Sequence, residues 1–155
     1  MNLITLLETK ENEIIEEASQ TLMCAHLKHY EVAGLEKNKQ RLITLYNLTV
    51  QCVKNRHLSP VTAYAAKIAE ERFLADYDLH EVQMLFNILE ETLWNQIINN
   101  LPASTLAEAL GLVSTVLGTG KDTLASTYVS LACKTRVPSL DLSELFKGTT
   151  ESALL

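Results

Sequence analysis

Hydrophobic positions along the chain recur every three or four residues, the spacing that is typical of amphipathic helices, and they seldom alternate. Apolar residues from Leu3 to Leu7 open a first turn or two. Longer stripes predict helices near residues 10–28 and 35–56, and Gly34 breaks the chain between them. No stretch is rich in β-formers, so the pattern indicates an all-helical protein.

Ser59 and Pro60 predict the start of the next helix, with serine as the N-cap and proline at the first helical position. This helix is expected to run to about Tyr77. A further helix is expected at 79–100, and its wide apolar arc predicts a central position with several neighbours.

Helix signals continue from Thr105 to about Cys133, where Gly118 and Gly120 are expected to divide the segment into two helices. A short helix is predicted near residues 141–147. The fold class is therefore all-α, a compact bundle of six to seven helices. We expect one domain at residues 1–148, followed by a polar tail at 149–155.

Composition and charge narrow the range of functions. The chain has 155 residues, 47% hydrophobic and 21% charged, which is a globular balance, and its net charge is −6. An acidic chain without a basic stripe is not expected to bind nucleic acid or an anionic membrane surface. Three widely spaced cysteines and the lack of a signal-peptide pattern favour a soluble protein in the cytoplasm.

The stretch Asp76-Tyr77-Asp78-Leu79-His80-Glu81 gathers three carboxylates and a histidine within six residues. Asp78 and Glu81 have the spacing of a capping box, and we interpret the stretch as the joint between two helices. A metal or catalytic cluster is the weaker alternative, because Asp78, His80 and Glu81 cannot all point inward from one helical turn.

Other groups also have a structural and a chemical interpretation. Cys24, His26 and His29 could bind a metal, but a buried cysteine beside histidines at a helix C-terminus is the simpler interpretation. Arg72 lies next to two glutamates and is a plausible partner for a neighbouring carboxylate, such as Glu90 or Glu91. Neither a metal nor a cofactor is predicted.

Three further patterns suggest ligands. The stretch from Gly118 to Asp122 has the wrong spacing for a phosphate loop, and a helix end followed by a new N-cap at Asp122 explains it better. Residues 106–116 resemble a helix-turn-helix but are followed by a single lysine, so DNA binding is a minor alternative. His57 and His80 would be the axial ligands if a globin-like bundle held haem or another tetrapyrrole.

The segment "IAEERFLADYDLHEVQMLFNILEETLW", together with Arg41-Leu42 and Pro60-Val61, is more specific than a generic bundle. It resembles the RsbRD-type N-terminal domain of the RsbT co-antagonist proteins of bacterial stress signalling. The stretch "LPASTLAEALGLVSTVLGTGKDTLA" is similar to the helices that follow in that family. The similarity spans roughly residues 10–135.

This resemblance implies a non-enzymatic sensory or scaffold domain and is compatible with a globin-like bundle without haem. The family implies a homodimer that passes a signal to another protein, and in it such domains often precede a STAS domain. About twenty residues follow Cys133, too few for a STAS domain, so we expect either a stand-alone relative of the family or an excised domain. The candidate ligand or partner surface comprises Arg72, Tyr77, Glu81, Glu90 and Trp94, with a core position as the favoured alternative for Trp94.

Overall fold

The computed structural model describes residues 1–136, with side chains to 134, and all regular structure in this part of the chain is helical. The elements are α1 (Leu3–Thr9), α2 (Glu11–Cys24), α3 (Lys28–Ala33), α4 (Leu35–Asn55), α5 (Ser59–Leu74), α6 (Leu79–Asn100), a 3₁₀ turn (Ala103–Thr105) and α7 (Leu106–Arg136). The all-α prediction of six to seven helices is confirmed. The short helix predicted near 141–147 and the tail from 149 lie outside the described residues.

Two long helices organise the bundle. Both α4 and α6 contact every other α-helix, which confirms the central position predicted for residues 79–100. Helix α7 packs most extensively against α5 and α6, while α2 packs against α4 and α6. Helices α5 and α6, although consecutive, share few contacts.

The core is apolar and draws on every α-helix of the described chain. Its largest fully buried side chains are Tyr30, Tyr46, Phe86 and leucines and isoleucines of α1, α2, α4 and α6. The Tyr46 hydroxyl donates a hydrogen bond to the carbonyl of Leu7, which ties α1 to α4. Burial of this apolar surface is the main stabilising contribution to such a bundle.

The helix predicted near residues 10–28 ends earlier, at Cys24, and α3 follows as a separate element that the sequence pattern did not predict. His26 has a φ of 51°, in the left-handed region, which ends α2 although neither glycine nor proline stands there. Gly34, with a φ of 88°, ends α3 and confirms the predicted break before α4. Ser59 is the first residue of α5 rather than its cap, and Leu58 precedes it.

Helix α7 is continuous, and the predicted division at Gly118 and Gly120 is wrong. Its 31 residues make it about 46 Å long. A Cβ added at Gly120 would lie 2.6 Å from Cε2 of Phe86 and 3.2 Å from Cγ2 of Val61. Gly120 thus allows α7 to approach α5 and α6 closely, and the packing outweighs the low helix propensity of glycine.

Candidate functional site

Glu81 lies at the centre of a buried polar cluster that joins α3 to α6. Its side chain is only 5% exposed in a helix whose N-cap is Asp78. Oε2 accepts a hydrogen bond from the Asp78 backbone N–H at 3.0 Å, which confirms the predicted capping box. Oε1 accepts from the backbone N–H of His29 at 3.0 Å, and Oε2 lies 2.8 Å from His29 Nδ1. One carboxylate therefore holds the first turns of two helices together.

The environment of Glu81 also favours its charged form. Burial alone would raise the pKa of this carboxyl. The backbone N–H groups of His29 and Asp78 and the His29 ring outweigh burial, and the pKa of Glu81 is lowered from its ordinary value. The contact with α3 is consequently weakened when the carboxylate is protonated.

Tyr77 extends the cluster towards α3, α5 and α7. Its ring stacks on His29 with the centroids 4.6 Å apart, and it meets Tyr30 edge-on at 5.3 Å. Its backbone N–H donates to the carbonyl of Arg72, and its own carbonyl accepts a hydrogen bond from the Tyr128 hydroxyl at 3.0 Å. Burial raises the pKa of Tyr128 to about 12, so this hydroxyl remains a donor at neutral pH.

Arg72 is the most unusual member of the cluster, because it is charged and only 3% exposed. Nη1 donates to the Tyr30 hydroxyl at 3.2 Å, and Cζ lies 5.7 and 5.8 Å from the ring centroids of Tyr30 and Tyr77. It forms no salt bridge with any described carboxylate, and its Nε has no hydrogen-bond partner. The expected pairing of Arg72 with a glutamate such as Glu90 or Glu91 is therefore wrong.

Of the five selected residues, the structure brings together Arg72, Tyr77 and Glu81 but not Glu90 and Trp94. Glu90 lies further along α6, where its Oε2 is 3.7 Å from Lys121 Nζ of α7. Trp94 is 39% exposed, and its Nε1 donates to Ser114 Oγ at 2.9 Å. The core interpretation of Trp94 is wrong, and these two residues belong to a separate surface formed by α6 and α7.

The other groups considered from the sequence are dispersed. Cys24 is exposed rather than buried at the end of α2, and His29 is engaged by Glu81 instead of by a metal partner. His57 and His80 are both exposed, the first between α4 and α5 and the second in the first turn of α6. The segment 106–116 and the glycines at 118 and 120 lie within α7, which contradicts the alternative of a helix-turn-helix and the predicted new N-cap at Asp122.

Sequence reasoning missed the partners that complete the cluster. His29 and Tyr30 belong to α3, and Arg41 of α4 places its Cζ 5.2 and 5.4 Å from the ring centroids of Tyr30 and Tyr77. His29 and Glu81 are 52 positions apart. Local spacing contains no signal for the pairing of His29 with Glu81.

Fold and cluster together define an all-helical domain with an ionic and aromatic junction in its interior. Searches against family models, curated proteins and solved structures gave no match for the chain. The resemblance to RsbRD-type domains therefore stays a prediction. In the described part of the chain, no helix combines the length and apolar character needed to cross a bilayer.

Proposed function

We propose that this chain is a non-enzymatic regulatory or sensory domain that receives a signal at the cluster of Arg72, Tyr77 and Glu81. The response would be a change in helix packing that is passed to another protein, most simply a second copy of the chain in a homodimer. This is also the role implied by the resemblance to bacterial stress-signalling domains.

The observation that carries the proposal is that one small cluster joins five helices. Glu81 and His29 connect α6 with α3, Arg72 and Tyr30 connect α5 with α3, Arg41 adds α4, and Tyr128 adds α7. A ligand or partner that binds one arrangement of these groups better than another shifts the population towards it. A junction shared by five helices spreads that shift through the bundle.

Helix α3 is the element most suited to move. It has six residues, too short to be stable alone, and the Glu81 carboxylate accepts hydrogen bonds at its first turn. Its exposed Val32, together with Leu35 of α4, provides apolar surface next to the junction. Release of α3 would change the surface that a partner meets.

Native mass spectrometry combined with sedimentation tests this function. We expect a homodimer, and we expect Glu81→Gln to change its dissociation constant by at least about fivefold, or about 1 kcal/mol. Glu70→Gln, which removes the same charge from an exposed residue of α5, is the matched control and should leave the constant unchanged. A strict monomer, or equal effects of the two substitutions, would contradict a relay from this junction to a second copy.

A further inference from the structure

A groove of about 300 Å³ lies between α4 and α5 and has the buried Arg72 in its wall. Its charged lining consists of Lys37, Arg41, Lys67 and Arg72 against the single carboxylate of Glu71. The whole chain has a net charge of −6, so this surface has the opposite sign to the protein. A local excess of positive charge on an acidic domain attracts anions by its field.

The two guanidinium groups contact the same pair of rings, and neither has a carboxylate partner. Arg41 and Arg72 each place Cζ within 5.8 Å of the centroids of both Tyr30 and Tyr77. Neither arginine, nor Lys37 or Lys67, forms a salt bridge with a described carboxylate. Two like charges that line one groove repel each other, and an anion bound in that groove would reduce the repulsion.

Arg72 provides a second, independent indication of a ligand. It is 3% exposed, yet its Nε has no hydrogen-bond acceptor, and the other partners of its guanidinium group, the hydroxyls of Tyr30 and Tyr64, are neutral. Buried polar groups are nearly always hydrogen-bonded, and a buried cation usually has an anionic partner. Glu81, the buried carboxylate of the cluster, is occupied by the N–H groups of His29 and Asp78.

We infer that the groove between α4 and α5 binds a small, multiply charged oxyanion, held by Arg41 and Arg72 and flanked by Lys37 and Lys67. Guanidinium groups match the paired oxygens of phosphate and carboxylate, which makes them suited to such ligands. The groove volume is at the lower end of the range for small-molecule sites. Four cations against one carboxylate favour a ligand with two or more charges over a monocarboxylate.

The inferred oxyanion would be the ligand that the proposed sensory domain detects. The effect of its binding on the rest of the bundle therefore rests on the proposed function. Bound oxyanion would draw α4 and α5 together at Arg41 and Arg72. Both arginines pack on Tyr30 and Tyr77, so the same event would reposition the rings that hold α3. Binding itself, however, is measurable whether or not the domain passes a signal on.

Isothermal titration calorimetry on the full chain tests the inference, with pyrophosphate, inorganic phosphate and citrate as probes at constant ionic strength. We expect saturable one-site binding of pyrophosphate or citrate and weaker binding of inorganic phosphate. Tighter binding of pyrophosphate would identify a phosphate-bearing ligand, and tighter binding of citrate would identify a polycarboxylate. Failure of all three to bind above a sodium chloride control would overturn the inference.

Four variants with exposed substitutions locate the binding. Lys67→Gln should weaken affinity at least about fivefold, whereas Lys54→Gln, a charge removed about 20 Å from Arg41 along α4, should change it less than about twofold. Glu71→Gln should tighten binding, and its neighbour Glu70→Gln, outside the groove lining, should not. Equal effects within either pair would overturn the assignment to this groove.

The same samples separate this inference from the proposed function. Hydrogen exchange of α3 and the subunit mass are measured with and without the bound probe. Binding at the groove without any change in α3 or in the dimer would support the anion site and contradict the relay. If Glu81→Gln changes the dissociation constant of the dimer but the chain binds no oxyanion, the proposed function is supported and the anion site is overturned.

Discussion

Gly120 allows a direct test of why α7 is a single helix. The substitution Gly120→Ala adds one methyl group to a residue that is buried between α5 and α6. That Cβ would lie 2.6 Å from Cε2 of Phe86 and 3.2 Å from Cγ2 of Val61, whereas carbon atoms pack favourably at about 3.5–4.0 Å. Phe86 and Val61 are themselves fully buried, so neither can move without disturbing other contacts.

The expected magnitude follows from two opposing contributions. Alanine is favoured over glycine within a helix by about 1 kcal/mol. Inserting a methyl group into a close-packed core costs about 1–3 kcal/mol. Gly120→Ala should therefore lower the free energy of unfolding by up to about 2 kcal/mol.

Gly118 is the matched control, because a Cβ added there meets no atom within 4 Å. Gly118→Ala should raise the free energy of unfolding by about 1 kcal/mol, through helix propensity alone. The two variants should differ by about 1–3 kcal/mol, which for a chain of this size corresponds to about 2–12 °C in Tm.

Urea unfolding and calorimetry of both variants measure this difference. Phe86→Leu, which removes the ring carbon that clashes, should recover part of the loss when combined with Gly120→Ala, giving a coupling energy of about 1 kcal/mol in a double-mutant cycle. The reasoning is refuted if Gly120→Ala is as stable as Gly118→Ala. Such a result would mean that α7 does not approach Phe86 as closely as described.

Three other substitutions test the cluster and its joint. Glu81→Gln should lower the free energy of unfolding by about 1–3 kcal/mol at neutral pH. Because the pKa of Glu81 is lowered in the folded state, the wild type loses this advantage as the pH falls from the ordinary pKa of a glutamate through the folded-state pKa. The unfolding free energies of the two proteins should therefore converge in acid, and a constant gap would contradict the direction of the pKa shift. Arg72→Met should leave the free energy of unfolding within about 1 kcal/mol of the wild type or raise it, since the buried charge has no anionic partner. The same variant should no longer bind pyrophosphate. Strong destabilisation would show instead that Arg72 has a structural role. Asp76→Gly should raise the free energy of unfolding by about 0.5–1 kcal/mol, because Asp76 has a φ of 65° at the end of α5, and Asp76→Ala should not.

The parts of the fold that were predictable depend on local spacing. The apolar stripes located α4 and α6, and the capping box of Asp78 and Glu81 located the joint before α6, because both signals lie within a few residues of one another. The errors arise where tertiary packing overrides local preference. Gly120 has a low helix propensity but lies at a close contact between helices in the bundle. His26 ends α2 in a left-handed conformation that could not be predicted from its residue type.

The same distinction applies to the candidate site. Arg72, Tyr77 and Glu81 stand close together in the chain, so the same stretch of sequence predicts all three of them. Glu90 and Trp94 were selected on the same helix but lie on a different surface, shared with α7. His29, Tyr30 and Arg41 could not be assigned from spacing, since they meet the cluster across more than thirty residues of chain.

The proposed regulatory role would account for the charged composition of the junction. A bundle that needed only stability would place an apolar side chain where Arg72 is buried, because a buried charge without an anionic partner costs several kcal/mol and a well-packed apolar group does not. On our proposal, an anion bound beside Arg72 would reduce this cost, and the bound and free states of the domain would differ most at this junction. Helix α3 is held there by Glu81, by the ring of Tyr77 and by its own Tyr30, whose hydroxyl accepts a hydrogen bond from Arg72, and on the proposed function its position would follow the occupancy of the groove. Binding at an exposed groove and a change at the surface of α3 are thus linked through Arg41, Arg72 and the two tyrosine rings between them.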